Sequence, residues 1–267
     1  MLDIKIEKYD IFVEKVKVVQ RRIEQLNQWP SVDSMVRYKE ARLSPRYLLV
    51  TAEEPTDGIL EPLELPMGEE DACMVIMGLL RALHALHMRK LVHGHLRPEV
   101  LRRHSASGRI VLLQQVLTID LFDPSSDAGQ EVWRCCAPEI MRASPFDYSA
   151  DIWGLGAVLL QLVAPAGKVY ETEDLVELDI ISPEVSSLSS SVVSFVMQCL
   201  QEDAHARPTI AELIMHPLLT NRDGLDKSCT EEEEDEEESE PEEEKKENDA
   251  AEEEEETEES EEADEEP

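Results

Sequence analysis

The last 37 residues of the chain cannot contribute to a folded core. Residues 231–267 hold 26 of the 60 acidic residues and only two basic ones, Lys245 and Lys246. They contain no aromatic residue and no leucine, isoleucine or valine. Too little apolar surface is therefore available to offset the entropy of ordering this segment. We predict a disordered acidic C-terminal tail over residues 221–267, so the fold must be built from the residues before it.

The charge of this tail restricts the partners that the chain can have. Residues 1–230 carry 34 acidic and 23 basic residues, a net charge of −11, compared with −24 in residues 231–267. A run of like charge repels nucleic acid and anionic lipid and favours basic proteins such as histones or ribosomal proteins. We expect no nucleic-acid partner and no membrane partner. A tail that only increases solubility is the alternative interpretation.

The five cysteines favour reduced thiols. They are far apart except for the adjacent Cys135 and Cys136, and they form no repeated Cys-x-x-Cys pattern. No signal peptide is expected before them. This pattern is typical of a protein of the cytoplasm or the nucleus.

Apolar periodicity predicts an α+β fold with a mostly helical second half. Two buried strands are predicted, LDIKI near the N-terminus and YLLVTA at 47–52, and the stretch PTDGILEPLELP after them is interpreted as a loop. A β-hairpin is predicted around SASG at 105–108, because its serines and glycine suit a tight turn. Helices are predicted at about 12–26, 69–88, 149–163, 190–201 and 209–215, the last with a capping box formed by Thr209 and Glu212.

Four motifs occur in a characteristic order along the chain. They are HGHLRPEVL at 93–101, CCAPEI with the triplet APE at 137–139, DIWGLGAVLLQL from Asp151, and EDAHARPTIAELIMHPLL from Glu202. Together they make the segment 47–218 resemble the hinge and large lobe of a eukaryotic-type protein kinase. The resemblance implies three regions: a partial small lobe at 1–55, a kinase-like large lobe at 56–220 and the tail at 221–267.

The resemblance assigns structural roles to four residues. Glu139 and Arg207 are expected to form a buried ion pair that fastens the activation segment to the lower helices. Asp151 is expected to accept hydrogen bonds from backbone N–H groups of the catalytic loop. His93 is expected to be a packing and hydrogen-bonding residue of that loop.

The catalytic positions depart from the family. Aligned on HRDLKPENL, the segment HGHLRPEVL places His95 at the catalytic base, Arg97 at the loop lysine and Val100 at the metal-binding asparagine. Valine has no lone pair for Mg²⁺, which prefers oxygen ligands. Histidine can accept a proton, but near neutral pH it can also be cationic and repel a metal.

The position of the metal-binding aspartate of the family's DFG motif allows two registers. The hairpin spacing favours Gln114, whose neutral amide binds Mg²⁺ poorly. The second register uses Asp120-Leu121-Phe122 as a shifted motif. In either register, His95 and Val100 remain substituted.

The N-terminal side offers one nucleotide-binding candidate. Lys5 lies about 90 residues before His95, where the family places a phosphate-binding lysine. Its carboxylate partner could be Glu14 or Glu24, or Gln20 could stand in its place. Lys5 as an ordinary exposed lysine is the alternative. No glycine-rich loop precedes this strand, which suggests either a natively incomplete small lobe or a truncated form.

These substitutions predict a catalytically inactive kinase-like protein, a pseudokinase, and not an enzyme. On this hypothesis the chain is a scaffold or regulatory protein that binds protein partners, among them a true kinase, with no metal site and no binding of ATP or Mg²⁺. One alternative is residual ATP binding or weak serine/threonine kinase activity. Another is an acidic-tail protein that binds basic partners such as histones.

The chain is also expected to be a phosphoprotein. Five hydroxyl residues lie beside acidic residues at the spacing that acidophilic kinases favour, namely Ser228, Thr230, Ser239, Thr257 and Ser260.

Overall fold

Two three-stranded antiparallel sheets and ten α-helices form the part of the chain that the structure describes. The structure is a computed structural model and describes residues 1–165, 168, 170–179 and 182–220. These residues belong to one compact unit. The predicted acidic tail and the five phosphorylation candidates lie outside the described residues.

The N-terminal sheet consists of β1 (Leu2–Glu7), β2 (Tyr38–Leu43) and β3 (Tyr47–Ala52), in the order β1-β3-β2. Helix α1 (Val16–Asn27) packs against β2 and buries one stripe of side chains, at Val16, Val19 and Ile23. The stripe follows the helical period, so apolar burial explains both the helix and the face that it turns to the sheet.

The second sheet is formed by strands that follow the N-terminal sheet along the chain. It consists of β4 (Leu60–Pro62), β5 (Leu101–His104) and β6 (Ile110–Leu112), in the order β4-β5-β6. The turn between β5 and β6 contains Gly108 at a φ of +70°, a conformation that favours glycine. Strand β4 corrects the sequence-based interpretation of this stretch as a loop, because its backbone pairs with β5.

Helices α2 (Glu69–Met88), α5 (Ser149–Val163) and α8 (Ser190–Cys199) form the core of the helical region. By length and composition α2 could cross a membrane. However, nine of its residues are buried within the protein, as in a core helix. The shorter helices are α3 (Asp127–Trp133), α4 (Pro138–Met141), α6 (Thr172–Val176), α7 (Pro183–Ser186), α9 (Ile210–Ile214) and α10 (Pro217–Thr220).

The predicted α+β class is confirmed, and so are most of the long elements. Helices α2 and α5 and strand β3 occupy the predicted residues. Helix α9 starts with the predicted capping box, in which Thr209 and Glu212 bond each other's backbone N–H groups. Helix α1 begins later than predicted, after a 3-10 turn at Val13–Lys15.

Candidate active site

Asp151 fixes the shape of the loop that carries the first motif. Its side chain is fully buried near the start of α5, where the carboxylate accepts hydrogen bonds from the backbone N–H groups of His93 (2.9 Å) and Gly94 (2.7 Å). Nε2 of His87 lies 2.8 Å from the same carboxylate. Gly94 has a φ of +78°, so the left-handed conformation suits glycine at this point.

Two histidines of this loop stack on each other. The rings of His93 and His95 lie 4.3 Å apart, and both residues are buried. Nε2 of His93 donates to the carbonyl of Leu113 at 3.0 Å, and Nδ1 of His95 donates to the carbonyl of His93 at 2.9 Å. Because a carbonyl only accepts, these bonds fix both tautomers. The free nitrogens, Nδ1 of His93 and Nε2 of His95, find no hydrogen-bond partner among the described residues.

Both histidines are neutral near pH 7. Burial lowers the pKa of His93 to about 4. Burial, followed by the nearby His93 and Arg97, holds the pKa of His95 well below its usual value. This corrects the expectation that His95 can be cationic, because a buried imidazolium would lose its hydration without gaining a carboxylate. His95 therefore presents a lone pair at Nε2, at the position of the family's catalytic base.

Arg97 and Gln114 face each other beside this loop. Nη2 of Arg97 donates to Oε1 of Gln114 at 3.3 Å. The Arg97 side chain is 17% exposed and its Nε lies 3.7 Å from the Glu99 carboxylate. Burial lowers the pKa of Arg97, and its Nη1 has no partner within the described part of the chain. The contact places Gln114, and not Asp120, against the loop.

Asp120 belongs to a different contact. Its carboxylate accepts a hydrogen bond from Lys15 at 3.0 Å, and the side chain is half exposed. It lies in a 3-10 turn, Ile119–Leu121, beyond the hairpin.

Mg²⁺ does not fit the residues present here. Val100 is fully buried and has no oxygen to offer, and the amide oxygen of Gln114 is bonded to Arg97. The described ranges contain no group of three or more histidines, cysteines or acidic residues able to hold a metal ion. The carboxylate oxygens that hard cations prefer are therefore missing from this arrangement.

A second buried contact joins Arg207, just before α9, to Glu139 of α4. The guanidinium of Arg207 forms two parallel hydrogen bonds with the carboxylate of Glu139, at 2.7 and 2.8 Å. It also donates to the carbonyls of Ser149, Gln201 and Glu202 and lies over the Trp153 ring. The Arg207 side chain is 0% exposed, so the pair is shielded from solvent.

Comparison with known protein families identifies the family to which this fold belongs. The protein kinase domain family matches residues 4–219, which is most of the chain. The chain belongs to the protein kinase family.

Individual relatives of this kinase domain are serine/threonine-protein kinases. This chain is 28% identical over 179 residues to the serine/threonine-protein kinase dst2 of Dictyostelium discoideum. The match covers 61% of this chain and 15% of that kinase. This chain is 32% identical over 171 residues to the serine/threonine-protein kinase Nek6 of Oryza sativa. The match covers 61% of this chain and 31% of Nek6. For the serine/threonine-protein kinase Nek3 of the same plant, the identity is 29% over 160 residues. The match covers 57% of this chain and 27% of Nek3. The kinase domain thus spans less than a third of each of these relatives.

These comparisons contradict the prediction that the chain is not an enzyme. That prediction depended on the substitutions at His95, Val100 and Gln114 alone. The match to the kinase domain and the serine/threonine kinases among the relatives point to an enzyme.

Lys5, the nucleotide-binding candidate, lies on β1 opposite Leu49 and is exposed. Within the described part of the kinase domain, no ion pair joins it to Glu14 or Glu24, which are also exposed. The amide of Gln20 instead donates to the carbonyl of Ala41 at 3.4 Å. The structure therefore does not bring Lys5 together with any of its three candidate partners.

Two residues that join α1 and β2 to the backbone near the catalytic loop were missed from the sequence. Arg22 of α1 donates to the carbonyls of Gln115 and Val92, both at 2.7 Å. The buried hydroxyl of Tyr38 accepts from the backbone N–H of Gln114 (2.7 Å) and donates to Oε1 of Gln115 (2.6 Å). Arg22 follows Val19 by three positions and precedes Leu26 by four, so an arginine on the apolar stripe was the available signal.

Proposed function

We propose that the chain is a serine/threonine protein kinase domain with weak nucleotide binding and slow phosphoryl transfer. The observation that carries this proposal is the loop held by Asp151, with His95, Arg97 and Gln114 on it or beside it. The kinase relatives support the class of reaction. Since the chain covers only part of each relative, substrate and activity are proposed for this domain and not transferred from those proteins.

The residues present suggest how the reaction would proceed. The hydroxyl oxygen of a serine or threonine attacks the γ-phosphorus of ATP, the bond to the β-phosphate oxygen breaks, and ADP leaves. Nε2 of His95 is the available acceptor for the hydroxyl proton, and Arg97 is the cation able to stabilise charge on the phosphoryl oxygens.

Two features make this transfer slow. The lowered pKa of His95 makes it a weak base at neutral pH. The ring of Phe122 also lies 5.8 Å from that of His95, and Nε2 is buried. Proton transfer therefore requires a movement that exposes Nε2 to the substrate hydroxyl. No step depends on Mg²⁺, because the residues do not fit it.

Arg97→Gln is expected to reduce the rate of phosphoryl transfer about a hundredfold, the size typical for loss of one group that stabilises transition-state charge. Transfer from γ-labelled ATP to a serine/threonine peptide mixture measures the rate. Arg109→Gln is the matched control, since that exposed guanidinium pairs with Asp33 at the surface. The rate of the control should stay within about twofold of the parent.

A chelator tests the metal-independent part of the proposal. Adding EDTA to the same assay is expected to leave the rate nearly unchanged. A rate that vanishes with EDTA and returns with Mg²⁺ would contradict metal independence. Absence of both label transfer and any ATP-induced thermal shift would contradict the proposed function as a whole.

Protein binding remains a separate proposal for the same chain. The acidic residues 231–267 favour basic partners on charge grounds. Comparing the binding of purified histones to the full chain and to a form ending at residue 220 tests this, and equal binding by both would contradict it.

A further inference from the structure

Gln114 holds a backbone conformation that is unfavourable for its residue type. Its φ is +62°, in the left-handed region that a residue with a Cβ atom rarely occupies. Such a conformation persists where surrounding groups fix it, and it is common at functional sites. The direction of the Gln114 side chain is therefore set by the contacts of this residue and not by its own backbone preference.

Tyr38 of β2 fixes the backbone of Gln114. The hydroxyl of Tyr38 accepts a hydrogen bond from the N–H of Gln114 at 2.7 Å, and the carbonyl of Gln114 accepts one from the N–H of Leu117 at 2.9 Å. Because its N–H and its C=O are both held, Gln114 has little freedom to change φ or ψ. Tyr38 is 1% exposed, so water does not compete for its hydroxyl.

Gln115 is held by the same hydroxyl and by α1. Tyr38 donates to Oε1 of Gln115 at 2.6 Å, and the guanidinium of Arg22 donates to the Gln115 carbonyl at 2.7 and 3.0 Å. Gln115 is fully buried, and its amide also donates to the carbonyl of Leu112. Two consecutive residues beside the loop that carries His95 are thus fixed by β2 and α1.

The side chain of Gln114 in turn orients Arg97. Its Oε1 accepts a hydrogen bond from Nη2 of Arg97 at 3.3 Å, whereas the Glu99 carboxylate lies 3.7 Å from Nε and is 62% exposed. Nη1 of Arg97 is buried and has no partner among the residues that the structure describes. The contact with Gln114 therefore fixes the plane of the guanidinium and leaves Nη1 available to a phosphoryl oxygen.

We infer that Tyr38 is a positioning residue for phosphoryl transfer, because its hydroxyl holds Gln114 in the left-handed conformation that places the amide against Arg97. This role rests on the proposed function, since it concerns the guanidinium that stabilises charge on the phosphoryl oxygens. The angle φ sets the direction of Cβ relative to the N–H. If φ of Gln114 relaxed while its N–H stayed in place, the amide would move away from Arg97.

Gln114→Gly separates this role from a purely structural one. Glycine occupies a positive φ without strain, so the midpoint of thermal unfolding should stay close to that of the parent. The amide that orients Arg97 is lost. The kcat for transfer from γ-labelled ATP to a serine/threonine peptide should therefore fall about tenfold, with the KM for the peptide unchanged within about twofold.

Tyr38→Phe tests the hydroxyl itself. Phenylalanine keeps the packing of the ring but removes the bonds to Gln114 and Gln115, so kcat should again fall about tenfold. Added to Arg97→Gln, the same change should have little further effect, because both substitutions act through one guanidinium. If Tyr38→Phe fails to fold, Gln114→Gly still tests the contact with Arg97.

Thr51→Val is the matched control. It removes a buried hydroxyl from the neighbouring strand β3, where that hydroxyl donates to Asp3 at 3.2 Å. Its kcat should stay within about twofold of the parent, because the lost bond is not connected to Gln114. Thermal unfolding of every variant then separates lost stability from lost positioning.

A spectroscopic readout makes the test independent of turnover. The Nε–H resonance of Arg97 in the isotope-labelled full chain, identified by its disappearance in Arg97→Gln, reports the environment of the guanidinium. Tyr38→Phe and Gln114→Gly should both shift this resonance, and Thr51→Val should not.

Three results would contradict this role of Tyr38. They are an unchanged Arg97 resonance in Tyr38→Phe, a parental kcat in Gln114→Gly, and an equal loss of kcat from Tyr38→Phe with and without Arg97. Absence of transfer in the parent chain would instead contradict the proposed function, and the Arg97 resonance would then decide on the positioning contact by itself.

Discussion

Replacing Arg207 with alanine is expected to lower the free energy of unfolding of the kinase domain by about 3–5 kcal/mol, the cost of stranding one partner of a buried ion pair. The guanidinium is 0% exposed and forms a two-point contact with Glu139. Its removal leaves the carboxylate, 12% exposed, without its cation, and leaves the carbonyls of Ser149 and Gln201 without their donor. Both losses lower the free energy of unfolding.

The control for this experiment lies nearby. Arg142 pairs with Glu202 at the surface, and both side chains are more than half exposed. Arg142→Ala should cost at most about 1 kcal/mol, because solvent already screens that pair. Urea unfolding of both variants measures the difference. Equal losses in the two variants would show that the Glu139–Arg207 pair is not the structural centre that we describe.

Arg207→Lys separates charge from geometry. Lysine keeps the positive charge but cannot form two parallel bonds with a carboxylate or donate to three carbonyls in one plane. We expect a loss between those of the alanine variant and the control. A lysine variant as stable as the parent would mean that charge alone stabilises the centre.

The elements predicted correctly are those in which burial and periodicity agree. Helix α5 is apolar and buried almost throughout, and α2 repeats buried positions over about four turns. Strand β2, in contrast, reads YKEARL and buries only Tyr38 and Ala41, so its polar sequence gave no strand signal. Helix α3 has seven residues and is set by the Ser126 cap rather than by a long stripe. Short elements held by local caps carry too little pattern for prediction.

The sequence predicted which residues lie at the candidate site but not the protonation state of its histidines. The motifs identified His95, Arg97 and Asp151, and the hairpin spacing identified Gln114. The sequence could not reveal that burial lowers the pKa of both histidines and keeps them neutral, or that two backbone carbonyls fix their tautomers, since the fold brings these groups together. For the same reason the contact of Arg22 with Val92 and Gln115 was not foreseen. The prediction of an inactive protein failed where it treated substitution at single positions as decisive against the family.

Lowering the pH from 7 to 5 is expected to destabilise the kinase domain through its buried histidines. In the unfolded chain a histidine titrates near pH 6.5, whereas in the folded protein the pKa of His93 is lowered to about 4. Between these values the unfolded state binds the proton and the folded state does not, so stability is complete above about pH 6.5 and falls as the pH decreases toward 4. At pH 5, His93 alone accounts for a loss of about 2 kcal/mol.

His95 acts in the same direction, because burial also lowers its pKa. His216, which is also buried, adds an effect of the same sign, because burial lowers its pKa as well. Urea unfolding of the parent and of His95→Leu at pH 7 and pH 5 separates the contributions. The loss of stability of the variant between pH 7 and pH 5 should be smaller than that of the parent, because the variant lacks the His95 contribution. Identical losses would mean that His95 takes up its proton over the same pH range in the folded and unfolded protein, which would contradict the lowered pKa that burial gives it here.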